Sequence, residues 1–226
     1  MEPRTAARAG AAGLERAPPA GGLDRQASVA RLGPARRVVL VDAASLVALM
    51  GPNGAGKSTL LSILATILAP SSGEAWIGGQ HIVRESSGAR RHAGYLGHAS
   101  GLYGGMTAWE NLWLAGKLFG VADLRGAVSS ALDRAGLSDR RDTVVRHYSK
   151  GMARKLAFER VMLHRPSLLL LDEPFDGLDV AARERFEERL RGHRDGGGSA
   201  LIVTHDPEQA RRLCDRSLVL ENGRVS

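Results

Sequence analysis

The sequence predicts an α/β domain with a mainly parallel sheet, and three observations carry that prediction. Short apolar runs alternate with helix-spaced stretches from Val38 onward. A glycine-rich loop at residues 51–59 joins one such run to a helix. Four consecutive leucines, Leu168-Leu169-Leu170-Leu171, end in Asp172-Glu173. Strands covered by helices on both faces read as continuous apolar runs, which is the signature of a buried parallel sheet.

Taken in order, residues 1–34 are rich in Ala, Gly, Pro and Arg without apolar periodicity and read as a disordered basic tail. The tail lacks the roughly 7 to 15 residue apolar core of a secretory signal, so no secretion is expected. Residues 47–50 read as a buried strand. Residues 57–68 read as a helix on the spacing of Leu60, Leu61, Leu64, Ile67 and Leu68. Pro70-Ser71-Ser72-Gly73 then forces a turn. Strand pieces follow at 75–77 and 94–96. Thr107-Ala108-Trp109-Glu110 is a capping box opening a helix to about residue 119. A second helix is expected over about 124–135 and a third over about 153–163. No strand is evident between about 100 and 165, so a helical segment is inserted into the α/β body. Strands resume at 168–171, 200–203 and 217–220, with a charged helix over about 180–192.

The 31 basic residues exceed the 24 acidic ones for a net charge of +7, and all but four of the cations are arginine. No basic run is interleaved with aromatics as a base-stacking surface requires, so nucleic-acid binding is not expected. One cysteine, Cys214, excludes an internal disulfide framework. The longest apolar stretch, residues 38–50, contains Asp42 and is far short of the roughly 20 residues that span a bilayer. Any membrane role therefore runs through a partner or a surface.

The strongest chemical signal is Gly51-Pro52-Asn53-Gly54-Ala55-Gly56-Lys57-Ser58-Thr59, set between a strand and a helix. Glycines let backbone N–H groups converge on phosphate oxygens and the helix presents its positive end; Lys57 reaches the terminal phosphates and the Ser58 hydroxyl suits Mg²⁺. The chain is thus expected to be a P-loop NTPase. The leucine strand delivers Asp172 to the crevice at the sheet edge, where it would orient the Mg²⁺ shell, and Glu173 would polarise an attacking water. Ser149-Lys150-Gly151-Met152, 23 residues before Asp172, opens a helix and offers a hydroxyl and a glycine N–H as an anion site. Alone, that last element reads as an ordinary N-cap, and its value comes from its place before Asp172.

Together these spacings make residues 35–226 resemble the nucleotide-binding subunit of ATP-binding cassette (ABC) transporters, with a helical subdomain at about 100–165. In that family Tyr148-Ser149-Lys150-Gly151-Met152 falls on the signature motif, Asp176-Gly177-Leu178-Asp179 on the D-loop, and His205 of Val203-Thr204-His205-Asp206 on the switch histidine. The resemblance implies a RecA-like core and ATP and Mg²⁺ as ligands. It also implies a homodimer or heterodimer in which Ser149 and Gly151 of one subunit cap ATP held by the other. His205 would contact the γ-phosphate and hold Glu173 and water in line, and Asp179 would couple the two sites. A separate transmembrane permease subunit is implied as partner, with the chain peripheral on the cytoplasmic face of the inner membrane. Tyr95-Leu96-Gly97-His98-Ala99 with Leu102-Tyr103 and the Tyr148-Ser149-Lys150-Gly151-Met152 signature looks most like the haem exporter ATPase of cytochrome c maturation. A soluble cassette ATPase of the iron–sulfur assembly type, or a hydrolysis-impaired binding module, are the rival readings.

Two departures stand out. His98 occupies the position of the family's metal-contacting Gln, and Mg²⁺ prefers oxygen ligands, so His98 acts either by hydrogen bond or through water. The adenine-stacking aromatic is missing, Leu32 being the best-placed residue, and the N-terminal antiparallel β part reads as shortened to residues 38–50. Trp109 and Trp113, four apart, read either as a partner-facing pair or as packing inside the helical subdomain. No regulatory domain is expected to follow Ser226.

Overall fold

The computed structural model describes residues 28–32, 37–221 and 224–225. Its centre is a six-stranded sheet in the order β10-β9-β3-β8-β7-β6. Its strands are β3 (Leu46–Met50), β6 (Ala93–Leu96), β7 (Leu168–Asp172), β8 (Ser199–Val203), β9 (Arg216–Glu221) and the short antiparallel edge strand β10 (Arg224–Val225). All pairings from β9 to β6 are parallel.

Strand period decides how β7 fills both layers. Successive side chains point to opposite faces. Leu168 and Leu170 therefore join Val47, Leu49, Leu61, Leu201 and Val203 in one core, while Leu169 and Leu171 join Leu46, Ile202, Phe158, Phe186 and Leu190 in the other. All four leucines are essentially without exposure. Truncating Leu169 to Ala should cost about 2–5 kcal/mol.

A smaller antiparallel sheet, ordered β2-β1-β4-β5, covers the first core. It comprises β1 (Ser28–Leu32), β2 (Arg37–Val41), β4 (Gly73–Ile77) and β5 (Gln80–His81). Here the sequence reading needs correction: Ser28–Leu32, assigned to the tail, pairs with β2 and β4 in register Val29↔Leu40 and Val29↔Trp76. The antiparallel part is small, yet it begins ten residues before residue 38. Composition hid this strand, because its pairing partners lie on either side of the phosphate loop. Residues 1–27 and the Leu32 side chain lie outside the described part of the chain.

Helix α1 (Lys57–Leu64) stops short of the expected end at residue 68. Thr66 adopts a left-handed φ of 60°, and the N–H groups of Ile67 and Leu68 turn back to the Ser62 carbonyl. Ile67 and Leu68 are consequently 61% and 48% exposed. Helix α2 (Ser86–His92), which buries Ala89 alone, carries no apolar stripe from which to read it.

The helical segment contains α3 (Ala108–Phe119), α4 (Leu124–Ala135) and α5 (Lys150–Met162). The capping box forms as expected: the Glu110 N–H donates to Thr107 Oγ1 at 3.1 Å and the Thr107 N–H to Glu110 Oε2 at 2.8 Å. Gly120 and Gly136, at φ 69° and 64°, end α3 and α4. Leu112, Val128, Leu132 and Leu156 make a third core. Trp109 and Trp113 stack at 5.8 Å and pack partly buried against it, with the Arg141 guanidinium 4.2 Å over Trp109. Helix α6 (Val180–Asp195) joins β7 to β8, and α7 (Pro207–Leu213) joins β8 to β9. Among the described residues, no helix is long and apolar enough to cross a membrane.

Candidate nucleotide site

The parallel sheet brings the chemistry to one edge. The loop between β3 and α1, the end of β7, the end of β8 and His98 just after β6 all meet there. A cleft of about 320 Å³ is lined by Asn53, Gly54, Gly56, Lys57, Ser58, Thr59, His98, Asp172, Glu173 and Val203.

The loop conformation requires its glycines. Gly51 sits at φ 142°, and a Cβ there would lie 2.1 Å from the Leu220 carbonyl oxygen of β9. Gly54 and Gly56 adopt φ 79° and 98°. Gly56 caps α1 without a side-chain acceptor, so the first helical N–H groups remain available to an anion. Lys57 Nζ lies back across the loop, donating at 2.9 Å to the carbonyls of both Gly51 and Pro52.

Asp172 is the buried last residue of β7, at 4% exposure. Glu173 follows at φ 46°, a conformation costing roughly 1–2 kcal/mol for a non-glycine residue. Its N–H donates to Val203 of β8 at 3.1 Å. Its carboxylate accepts from His205 Nδ1 at 3.0 Å. That hydrogen bond and the Glu173 charge raise the His205 imidazolium above the ordinary histidine range, although its side chain is 76% exposed. Ser58 and Asp172 offer the hard oxygen donors that suit Mg²⁺, whereas the His98 ring nitrogens do not.

The signature residues behave differently, since neither Ser149 nor Gly151 lines the cleft. Ser149 caps α5, its Oγ accepting from the Met152 N–H at 3.2 Å, and it is exposed. A Cβ on Gly151 would meet the Gly177 carbonyl at 2.8 Å, so this glycine also permits close packing of α5 on the 176–179 loop. Asp179 is likewise outside the cleft and caps α6, accepting from the Ala182 N–H at 2.8 Å.

Arg154 was not singled out from the sequence. It is 5% exposed on the face of α5 shared by Ala157, Phe158 and Val161. An arginine at an apolar-face position was the available signal. Burial pulls its guanidinium below the ordinary arginine range, and Asp176, Asp172 and Glu173 pull it back.

The ABC transporter family model matches residues 39–176, which include the loop, the signature helix and the strand ending in Asp172. The chain belongs to the ABC transporter family. It is similar to the daunorubicin/doxorubicin resistance ATP-binding protein of Streptomyces peucetius, 37% identical over 82% of this chain and 57% of that protein. It is also similar to the Nod factor export ATP-binding protein I of Paraburkholderia xenovorans, 40% identical over 78% of this chain and 59% of that one. An ABC transporter ATP-binding protein of Bacillus subtilis is 32% identical, covering 82% of this chain and 76% of its own length. The chain thus spans little more than half of the first two relatives. A solved ATP-binding subunit of an ABC transporter superposes with a TM-score of 0.82 at 31% identity, covering 88% of both chains. The dimeric post-hydrolysis structure of an ATP-binding cassette with ADP and Pi shares the fold, with a TM-score of 0.76 at 23% identity. The chain is an ATP-binding domain of this family, with its P-loop core, helical subdomain and small antiparallel sheet.

Proposed function

We propose that this chain hydrolyses ATP to drive export through a separate transmembrane subunit. The observation that carries the reading is the Glu173–His205 pair at 3.0 Å, set in the cleft that also holds Lys57, Ser58 and Asp172. Loop amides and Lys57 hold the β- and γ-phosphates. Ser58 and Asp172 would hold Mg²⁺, which would supply charge neutralisation for the phosphate oxygens. Glu173 accepts the proton of a water aligned with the γ-phosphate, and His205 keeps the carboxylate aimed. His98, a poor Mg²⁺ ligand, acts through a hydrogen bond or a water.

Two copies, or this chain and a second nucleotide-binding domain, would form a sandwich in which Ser149 and Gly151 cap the partner's ATP and Asp179 couples the sites. The exposure of Ser149 outside its own cleft supports this. The subunit would sit on the cytoplasmic face of the inner membrane. For cargo, the names of the similar proteins favour a drug or Nod-factor-like small molecule. Haem export rests on the resemblance of residues 95–99, Leu102, Tyr103 and the signature at 148–152.

The test is steady-state ATPase activity of the purified chain with Mg²⁺, beside Lys57→Ala. Lys57-dependent hydrolysis is expected. ATP binding without hydrolysis, both alone and with a co-expressed permease, would overturn the enzymatic reading in favour of a binding module.

A further inference from the structure

The Arg154 guanidinium makes four hydrogen bonds, every one to a main-chain carbonyl. Nη2 donates to Asp172 and to Glu173 at 2.6 Å each, Nε to Pro174 at 3.1 Å, and Nη1 to Gly97 at 2.7 Å. Three of these carbonyls are consecutive and bracket the carboxylate that contacts His205. The fourth belongs to the residue before His98. Glu173 holds a left-handed φ of 46°, and such a backbone persists only where its surroundings over-determine it. The bond from the Glu173 N–H to Val203 fixes one side of the turn, and Arg154 fixes the carbonyl side.

We propose that Arg154 is a positioning residue for hydrolysis. It clamps the 172–174 turn and the end of β6 so that Glu173 and His98 face the same cleft. This rests on the reading of Glu173 as the group that activates water. Arg154 does not line the phosphate-loop cleft, so its effect passes through Glu173 and His98 rather than through the nucleotide. It is carried by α5, whose first turn bears Ser149 and Gly151. A displacement of that helix is therefore transmitted to the Glu173 turn of the same chain by one rigid side chain. A lysine cannot reproduce the clamp, because a point ammonium with three donors does not span acceptors spread around a planar fork.

The experiment compares the full chain with Arg154→Lys and Arg154→Met. It measures kcat and KM for MgATP, binding of a fluorescent ATP analogue, melting temperature, and amide hydrogen exchange over residues 173–178. In Arg154→Met, kcat should fall on the order of 100-fold while nucleotide affinity stays within about threefold. Exchange at 173–178 should rise, and Arg154→Lys should recover about tenfold in kcat. A kcat within about twofold of wild type would overturn the proposal. So would a loss of affinity and melting temperature that matches the kcat loss without recovery by lysine. If Arg154→Met does not fold, Arg154→Lys decides alone: reduced kcat at unchanged affinity supports the clamp, and wild-type kcat refutes it. If the wild-type chain shows no Lys57-dependent hydrolysis, alone or with a co-expressed permease, the function has failed, and exchange in the variants still decides: a rise at 173–178 supports the clamp and unchanged exchange refutes it.

Discussion

The phosphate-loop cleft and the first turn of α5 are the two places proposed to meet phosphate, and they are built in opposite ways. The cleft gathers groups from four segments onto the edge of one sheet, so that Lys57, Ser58, His98, Asp172 and Glu173 face a common space. The α5 turn has the exposed Ser149 as its cap and a tightly packed Gly151, and it contributes nothing to that space. A parallel sheet concentrates function at its carboxyl edge within one chain. The start of α5, on an inserted segment, presents its cap residue outward.

The sharpest test of the first half of this contrast is Lys57→Ala, which removes the one flexible cation among the described residues that line the cleft. Hydrolysis should fall by about 10²–10³-fold, read as steady-state ATPase activity. Residual activity near wild type would break the assignment of the cleft. Glu173→Gln comes next, with turnover reduced by about 10²–10⁴-fold while ATP binding is kept. Gel filtration with ATP should then show accumulated dimer. A persistent monomer with normal turnover would remove Glu173 from the mechanism.

The other half of the contrast is probed by Ser149→Arg. Hydrolysis and ATP-dependent association should fall on the order of tenfold, whereas nucleotide affinity of the isolated chain should hold. Equal loss of affinity in the monomer would mean that α5 serves its own cleft. A smaller effect is expected from His98→Gln, which offers an oxygen donor in place of an imidazole. Mg²⁺-dependent turnover should rise by about twofold or threefold.

The smallest effect concerns His205. Its folded-state pKa is raised, so the contribution of the His205–Glu173 pair is fully present below the unfolded histidine value and is lost as pH rises through the folded one. NMR titration should place the His205 midpoint above the ordinary histidine value, and Glu173→Gln should bring it back down. Unchanged midpoints would show that the contact is not maintained in solution.

Much of the cleft was legible because its chemistry is written on contiguous residues. The glycine spacing, Lys57-Ser58 and the leucine run ending in Asp172-Glu173 each declare both a backbone conformation and a charge. The capping residues Thr107 and Ser149 were legible for the same reason, as their hydroxyls accept from N–H groups three residues away. Helix α7 was missed despite an available signal: Asp206 accepts from the Glu208 and Gln209 N–H groups and Pro207 occupies the first turn. The end of α1 was misread since the apolar spacing continues through Ile67 and Leu68 while the Thr66 backbone leaves the helix.

What the sequence determined by itself is the phosphate loop, the acidic strand end and the order of elements around them, all set by short-range geometry. What tertiary structure alone decided is which distant groups meet. Ser28–Leu32 becomes a strand through pairing with Arg37–Val41 on one side and Gly73–Ile77 on the other, far along the chain. Arg154 finds Gly97, 57 residues away, and encircles the Glu173 turn. Backbone carbonyls carry no residue identity, so a side chain that binds four of them leaves no pattern to read until the chain has folded around it.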